Sequence, residues 1–262
     1  MIEINVDPII RLGSLEMRWT AVFFLIAFLI IIVAGIIVGL KRVGVRTASS
    51  NITGMSLSLI IGAIIGGRLM YIVDNWSYYL EHPENIISLE GMVIYGALFG
   101  AVVFVAVYLR VKGLPLRRYG DGIAPGAMLG MAVYRIGCII NGCCYGMPSH
   151  LPWAVVYTHP DAQAPFGKLL HPTQIYHLAL SLLAFAVLWL LQRRLKPEGS
   201  LCLLLLILFA ATDLPVRFFR VEPPFLLGMK LAVIVDALIL LVTIPWFIIK
   251  VSSAKNRNVI MP

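Results

Sequence analysis

The sequence predicts an all-α membrane protein, a bundle of seven transmembrane helices, on three observations. Hydrophobic residues make up 60% of its 262 residues and charged residues only 13%, with a mean hydropathy of +0.91. Apolar runs of about 20 residues, long enough to cross a bilayer, recur along the chain. Short clusters of Lys and Arg separate these runs. We therefore expect one transmembrane domain over residues 1–262, embedded in the lipid bilayer.

Seven apolar stretches define the expected helices. In chain order they are residues 19–40, 52–73, 92–109, 124–140, 174–191, 200–216 and 227–249. The fourth stretch is rich in glycine and alanine, and small residues let membrane helices approach one another closely. We therefore expect the fourth helix to lie at the centre of the bundle.

The distribution of cations predicts the orientation. Clusters of Lys and Arg follow the first, third, fifth and seventh stretches, whereas residues 74–90 contain no cation and residues 145–170 contain only Lys168. Cytoplasmic loops are enriched in Lys and Arg. The N-terminus is therefore expected outside, the C-terminus in the cytoplasm and the proline-rich loop 145–170 on the outer face. The net charge of +8 lies in the loop clusters, so it does not predict a nucleic-acid partner.

Two arginines lie inside apolar stretches, Arg68 in the second and Arg135 in the fourth. Charged side chains inside a membrane are costly and commonly mark a binding site. Each arginine is therefore a candidate for binding a lipid phosphate; the alternative is a structural cation that snorkels or forms an ion pair. Cys138 and Gly142 share the helix face of Arg135, which leaves room for a ligand beside it.

A third group of charges follows the sixth stretch. Asp213 and Arg217 have i, i+4 spacing and are expected to pair. Arg220 is then the cation of this segment that we assign to an anionic ligand. A guanidinium group suits a phosphodiester because it presents a planar fork of donors.

Polar residues also open the fifth predicted helix. Pro172 and Thr173 are typical of a helix start. His171, Gln174 and Tyr176 add more polar groups than a helix start needs. They form a second candidate site, with an ordinary position at the membrane interface as the alternative.

The four cysteines are Cys138, Cys143, Cys144 and Cys202. A metal site is not expected, because helical offsets of five and six residues point Cys143 and Cys144 away from Cys138 and no Cys-x-x-Cys spacing occurs. A bond between the adjacent Cys143 and Cys144 is not expected either, since it forms only with strain. We expect packing roles for these residues, and neither a metal nor another cofactor.

Several sequence blocks resemble the prolipoprotein diacylglyceryl transferase family over nearly the whole chain. They are residues 5–10 with 12–13, 66–69, 91–96, 135–137 with 141–142, 171–176 and 218–220. The resemblance implies transfer of the diacylglyceryl group of phosphatidylglycerol to the lipobox cysteine thiol of a prolipoprotein, forming a thioether and releasing glycerol phosphate. It also implies a multi-pass protein of the bacterial cytoplasmic (inner) membrane.

The resemblance also implies roles for individual residues. By position, Arg135 and Arg220 match the family's phospholipid-binding arginines, and Asn141 and Gly142 match the end of its signature. We expect the two arginines to hold the leaving phosphate. We expect His171 to be the base, because a thiol needs only a modest one, and Tyr95 to donate a hydrogen bond to the phosphate. Further substrate-binding roles are expected for Arg68, Gln174 and Tyr176.

The chain departs from the family pattern at several positions. Cys138 stands where the family has Asn, Cys143 where it has an acidic residue, and Tyr95 where it has a histidine. After Tyr176 the chain has His177 rather than Glu, and the Arg/Glu pair that precedes the last arginine is inverted to Asp213 and Arg217. Two alternatives follow from these departures. One is a paralogous membrane lipid transferase with a different thiol or a non-protein acceptor, and the other is a non-catalytic lipid-binding membrane protein.

Overall fold

The computed structural model describes residues 1–13, 15–42, 44, 48–87, 94–195, 197–221 and 229–260. These residues are mostly helical, as predicted. The α-helices are α1 (Trp19–Ile30), α2 (Leu40–Arg42), α3 (Ser49–Asp74), α4 (Trp76–Glu81), α5 (Ile94–Val111), α6 (Leu116–Asn141), α7 (Thr173–Leu191), α8 (Ser200–Phe219) and α9 (Leu231–Ile260). A π-helical stretch, Ile31–Gly39, joins α1 to α2, and a 3-10 turn, Pro83–Ile87, follows α4.

Six segments of the described chain are long and apolar enough to cross a membrane. They are Trp19–Ile37, Ser49–Asp74, Leu116–Asn141, Thr173–Leu191, Ser200–Phe219 and Ala232–Ala254. Each overlaps one of the predicted stretches. The remaining predicted stretch corresponds to α5, whose apolar part, Gly96–Val111, is shorter than the six spans. Hydropathy therefore located the helices, because a membrane helix needs a continuous apolar run.

Helix α6 is the most buried of the six candidate spans. Half of the most apolar segment of α6 is buried, whereas only 11% of the corresponding segment is buried in the last span, Ala232–Ala254. A Cβ added at Gly126 would lie 2.4 Å from the backbone nitrogen of Gly35, and one added at Gly137 would lie 2.8 Å from Cβ of Phe23. The glycines of α6 thus let the first helix approach its backbone, as the small residues predicted.

The chain divides into two compact units. One comprises Met1–Gly44 and Gly120–Pro262, and the other comprises Val45–Tyr119. Within the second unit, α3 and α5 cross at paired glycines, where a Cβ added at Gly66 would lie 2.2 Å from the carbonyl oxygen of Gly96. Within the first unit, a core of Ala124, Met128, Ala184, Leu188 and Leu201 joins α6, α7 and α8.

Five short strands correct the all-α prediction. They are β1 (Ile2–Ile4), β2 (Ile9–Leu12), β3 (Leu15–Arg18), β4 (Val155–Tyr157) and β5 (Leu169–Leu170). Strands β2 and β3 form an antiparallel hairpin, while β4 pairs in parallel with β1 and antiparallel with β5. Residues 145–170, called the cap below, are therefore a small folded element. Strands of two to four residues are too short for alternation in the sequence to reveal them.

Candidate active site

The chain reverses direction directly after α6. Gly142 has φ of +69° and Cys144 has φ of +61°, and Cys144 is the one non-glycine residue with positive φ in the described part of the chain. This conformation costs an L-residue about 1–2 kcal/mol. The reversal brings the sulfur atoms of Cys138, Cys143 and Cys144 within 4.8 Å of one another. We call residues 138–144 the thiol turn.

The thiol turn corrects a prediction. The offsets that separate Cys143 and Cys144 from Cys138 apply only on a continuous helix, but the helix ends at Asn141. The left-handed residues after it fold the chain back, and the Cys143 sulfur lies 3.9 Å from the carbonyl oxygen of Cys138. The cysteines therefore form a cluster, contrary to the predicted separation of their side chains.

Two side chains at the start of α7 hold the thiol turn. Gln174 Nε2 donates to the carbonyl oxygen of Cys143 over 2.8 Å, and Thr173 Oγ1 donates to that of Cys144 over 2.7 Å. Both side chains are almost completely buried. The sequence assigned Gln174 to substrate; the structure places its amide group on the turn, where it fixes the position of the thiols.

The cap supplies a third support. The hydroxyl of Tyr157 donates to the carbonyl oxygen of Ile139 over 3.0 Å and accepts a hydrogen bond from Gln174 over 3.2 Å. Burial raises the pKa of Tyr157, so its hydroxyl stays protonated and remains a donor. Tyr157 thereby connects β4 with the end of α6.

His171 and the segment that contains Arg220 lie on opposite sides of Gly146. The Gly146 amide donates to the His171 carbonyl over 3.2 Å, and the Met147 amide donates to the Phe219 carbonyl over 2.7 Å. Gly146 and Arg220 also pair as an isolated bridge. A Cβ at Gly146 would lie 2.5 Å from Cβ of His171. Only glycine therefore lets these two segments meet beside the thiol turn.

The two predicted phosphate-binding arginines converge on the thiol turn. Arg135 is 7% exposed, and its Nε is buried without a hydrogen-bond partner among the described residues. Arg135 interacts electrostatically with Cys138, Cys144 and Asp213. Arg220 acts on Cys144 as well. Two cations that are far apart in sequence thus face one small region.

The same region favours ionisation of one thiol. Hydrogen bonds from the Cys138 and Cys143 thiols lower the pKa of Cys144, and Arg220 and Arg135 lower it further, while burial opposes the shift. A thiolate at this position is stabilised because donors and cations surround it.

The imidazole of His171, the predicted base, has an unpaired ring nitrogen. Its Nδ1 is buried and has no hydrogen-bond partner in the described part of the chain. The ring packs against Phe219 with a centroid distance of 4.9 Å. Its backbone is hydrogen-bonded to Gly146 and Met147, directly after the thiol turn.

Asn141 and Gly142 attach the thiol turn to the rest of its unit. Asn141 Oδ1 accepts a hydrogen bond from Arg18 over 3.0 Å, and its carbonyl oxygen accepts one from Gln163 over 3.1 Å. A Cβ added at Gly142 would lie 3.2 Å from the amide nitrogen of Ala164. These contacts give both residues a structural function beside the predicted substrate contact. Arg18 escaped the sequence analysis because it precedes the first apolar run.

Three further predicted residues have different surroundings. The Tyr176 hydroxyl accepts a hydrogen bond from Trp153 Nε1 over 2.8 Å, which links α7 to the cap. Arg68 lies in the unit Val45–Tyr119 and donates to the carbonyl oxygens of Asn85, at 2.6 Å, and Ile86, at 3.1 Å. This geometry favours the structural alternative for Arg68. Tyr95 lies in the first turn of α5, but its side chain is outside the described part of the structure.

A buried charged group lies near Arg135. The predicted pair is confirmed, since Arg217 Nε lies 2.6 Å from Asp213 Oδ2. His177 Nδ1 lies 3.3 Å from the other carboxylate oxygen, Oδ1. We call His177, Asp213 and Arg217 the charged triad. In the sequence His177 stands out only as a departure, although its position four residues after Thr173 places it on the buried face of α7.

The fold and the site define a class of protein: a helical membrane protein in which two arginines and a histidine surround a thiol-lined turn. Comparison with known proteins gives the family. A family model described as prolipoprotein diacylglyceryl transferase matches residues 8–249. The chain therefore belongs to the prolipoprotein diacylglyceryl transferase family, as its sequence blocks predicted.

Curated relatives agree with the family model. A protein of Dehalococcoides mccartyi is 34% identical over 98% of this chain and 99% of its own length. A protein of Bordetella avium is 33% identical over 85% of this chain and 84% of its own length. A protein of Clostridium tetani is 37% identical over 66% of this chain and 70% of its own length. Each is named a phosphatidylglycerol–prolipoprotein diacylglyceryl transferase.

Proposed function

We propose that this protein transfers the diacylglyceryl group of phosphatidylglycerol to the lipobox cysteine thiol of a prolipoprotein. The products are a thioether and glycerol phosphate. Family membership over residues 8–249 and the names of the relatives support the reaction. The observation that carries it in this chain is the convergence of Arg135 and Arg220 on one buried region, since the reaction needs cations beside a leaving phosphate.

The arginines stabilise the leaving group. The thiolate sulfur attacks the glyceryl carbon, the bond from that carbon to the phosphate oxygen breaks, and the oxygen keeps the electron pair. Negative charge therefore grows on the phosphate as the bond breaks. Guanidinium groups already positioned at that point stabilise the transition state more than the bound lipid. The buried Nε of Arg135 has an unused donor for this purpose.

His171 takes the proton of the acceptor thiol. Its unpaired Nδ1 gives it an acceptor in the neutral state. A thiol is partly ionised near neutral pH, so a neutral imidazole is a sufficient base. For Tyr95 we retain the role of hydrogen-bond donor to the phosphate, because donation requires only an intact hydroxyl.

The proposed topology places the site on the outer side of a bacterial cytoplasmic membrane. The chain crosses the bilayer seven times, with the N-terminus and the cap outside and the C-terminus inside, because the cationic loops belong in the cytoplasm. Cysteines introduced at His150 and at Ser252, both exposed, should differ in labelling by an impermeant reagent in intact cells. Preferential labelling at position 252, or equal labelling at both positions, would reject this orientation.

The reaction is tested with the purified protein, phosphatidylglycerol vesicles and a peptide that contains a lipobox cysteine. Mass spectrometry should show one diacylglyceryl group per peptide, and none when phosphatidylethanolamine replaces phosphatidylglycerol or serine replaces the peptide cysteine. Arg193→Lys, at an exposed position, should behave as the wild type. Modification of a small thiol but not of the peptide would support a paralogous transferase, and lipid binding without any product would indicate a non-catalytic protein.

A further inference from the structure

The thiol turn contains more chemistry than the proposed transfer requires. Cys138, Cys143 and Cys144 bring three sulfur atoms within 4.8 Å of one another. Cys138 is fully buried, whereas Cys143 and Cys144 are half-buried. The cluster is therefore closed on the side of α6 and open on the other. Three convergent sulfur ligands with one open side are the arrangement in which zinc keeps a coordination position for a reactant.

We propose that the three thiols bind a thiophilic divalent cation of the Zn²⁺ type and leave its fourth position for the acceptor thiol. The spacing suits such an ion after a small contraction. Zinc–sulfur bonds of about 2.3 Å in a tetrahedral site separate the sulfur atoms by about 3.8 Å. A rotation of one or two side chains closes the remaining gap of about 1 Å.

The backbone of the turn is prepared for this function. Cys144 keeps the left-handed φ of +61°, a cost that persists only where the surroundings impose it. Gln174 and Thr173 impose it here through the carbonyl oxygens of Cys143 and Cys144. Such supports around a metal ligand fix its direction and strengthen binding. A packing role alone does not require three sulfur atoms on a turn that has a residue with positive φ and is held by two side-chain hydrogen bonds.

Charge also favours the site. Three thiolates around a divalent cation leave a net charge of −1, and a fourth thiolate makes it −2. Arg135 and Arg220 act on this position and offset that charge. The same arginines attract the lipid phosphate, so they bring the glyceryl carbon towards a metal-bound acceptor sulfur. The site therefore unites the nucleophile and the leaving group.

The catalytic part rests on the proposed function. The acceptor thiol loses its proton to His171 when its sulfur takes the fourth position. This sulfur then attacks the glyceryl carbon, and the phosphate leaves with the electron pair of the broken bond. The product thioether is neutral and binds the cation less strongly than a thiolate, so it dissociates. The cation is neither oxidised nor reduced, and the single proton of the acceptor thiol is taken by His171.

The binding test uses the full-length protein in detergent, reduced, stripped with a chelator and titrated with Cd²⁺ or Co²⁺. We expect one ion per chain and a sulfur-to-metal charge-transfer band. Cys138→Ser, Cys143→Ser and Cys144→Ser should each weaken binding by about 100-fold or more, because even outer supports of a ligand are worth 10- to 100-fold. Cys202→Ser is the matched control and should bind normally, since the Cys202 backbone amide bonds to Asp121, away from the cluster. A missing band, or one that depends on Cys202, overturns the proposal.

A second measurement avoids variants that fail to fold. Zn²⁺ should protect Cys143 and Cys144 of the wild-type chain from alkylation, as counted by mass spectrometry, and leave Cys202 unchanged; Cys138 is fully buried and is not counted. Equal alkylation with and without Zn²⁺ overturns the proposal.

The catalytic part is tested with the lipobox peptide. After the metal is removed with a chelator, the protein should transfer the diacylglyceryl group to the peptide at least about 10-fold more slowly, and added Zn²⁺ should restore the rate. Binding of phosphatidylglycerol should not change. Full transfer by the metal-free protein overturns the inference but leaves the proposed function intact. A metal-loaded protein that lipidates no acceptor overturns the proposed function but not the metal site.

Discussion

The thiol turn and the charged triad lie in the same unit of the chain, and both contain departures from the family pattern. In the charged triad, three departures contact one another, because Asp213 pairs with Arg217 at 2.6 Å and with His177 at 3.3 Å. The resemblance implies Glu, Arg and Glu at these positions in the family. Asp213 and Arg217 reverse the order of the two charges and keep a buried ion pair, and the His177 imidazole lies beside this pair. These departures preserve a buried ion pair.

The departures in the thiol turn change the chemistry instead. The resemblance implies an amide and an acid in the family at the positions of Cys138 and Cys143, and these two cysteines lie with Cys144 in one cluster. Sulfur is a soft ligand and a weak hydrogen-bonding group, so it cannot reproduce the interactions of an amide or a carboxylate. A departure can therefore be judged only together with its neighbours. The reversed pair Asp213–Arg217 keeps an ion pair, whereas the two new thiols join Cys144 in a cluster of three.

The largest expected effect tests the triad. Asp213→Asn should lower the stability by about 3–5 kcal/mol, because Arg217 loses its buried partner. Thermal unfolding in detergent measures the change. The triple variant His177→Glu, Asp213→Arg, Arg217→Glu restores the family pattern and should recover most of the stability. Glu81→Gln, at an exposed position, is the control; a triple variant no more stable than Asp213→Asn would refute compensation.

The next effect separates a ligand-binding arginine from one in the triad. Arg135→Lys should lower transfer by about 100- to 1000-fold with little change in stability, because a point charge replaces the planar fork at the phosphate. Arg217→Lys should instead lower stability and leave turnover per folded molecule within about 10-fold. Initial rates and unfolding temperatures for both variants test the distinction. Near-normal turnover of Arg135→Lys would make Arg135 a structural cation.

His171, beside the thiol turn, and His177, in the charged triad, provide a matched pair of variants. His171→Ala should flatten the pH dependence of transfer between about pH 5 and 8, because the variant lacks the base that takes the acceptor proton. His177→Ala should retain the wild-type profile, since His177 binds Asp213.

Tyr95→Phe should lower the rate by roughly 10- to 1000-fold at every pH in this range, as expected for loss of one donor. The pH–rate profiles decide between the roles. If His171→Ala keeps the wild-type profile and Tyr95→Phe abolishes it, Tyr95 is the base.

The smallest effect concerns the strain of the thiol turn. Cys144→Gly should raise stability by up to about 1 kcal/mol, because glycine adopts positive φ without the penalty of a side chain. The same variant should lose transfer activity, since it removes one of the three sulfur atoms. Cys202→Gly is the contrasting variant: it removes a side chain from the regular helix α8 and should lower stability. A Cys144→Gly variant that is less stable than the wild type would show that the thiol stabilises the turn.

Hydropathy alone located the helices. Helix α7, Thr173–Leu191, differs by one residue from the predicted stretch 174–191. The agreement is close because the apolar run and the helix both end at Leu191. Helix α6 instead begins at Leu116 rather than at residue 124, since its first turns contain basic residues that hydropathy excludes. The i, i+4 pair Asp213–Arg217 was also predictable, because both residues belong to one helix.

The sequence by itself thus determined the six candidate membrane spans and the family, and it proposed the two arginines of the site, since these depend on composition, local spacing and ordered blocks. Only the tertiary structure decided which departures belong together. His177 and Asp213 lie on different helices, and Cys138 meets Cys144 only because the chain turns back at Gly142. Contacts between distant segments depend on packing and on the path of the chain after a helix ends. The spacing of apolar residues along one segment reveals neither of these.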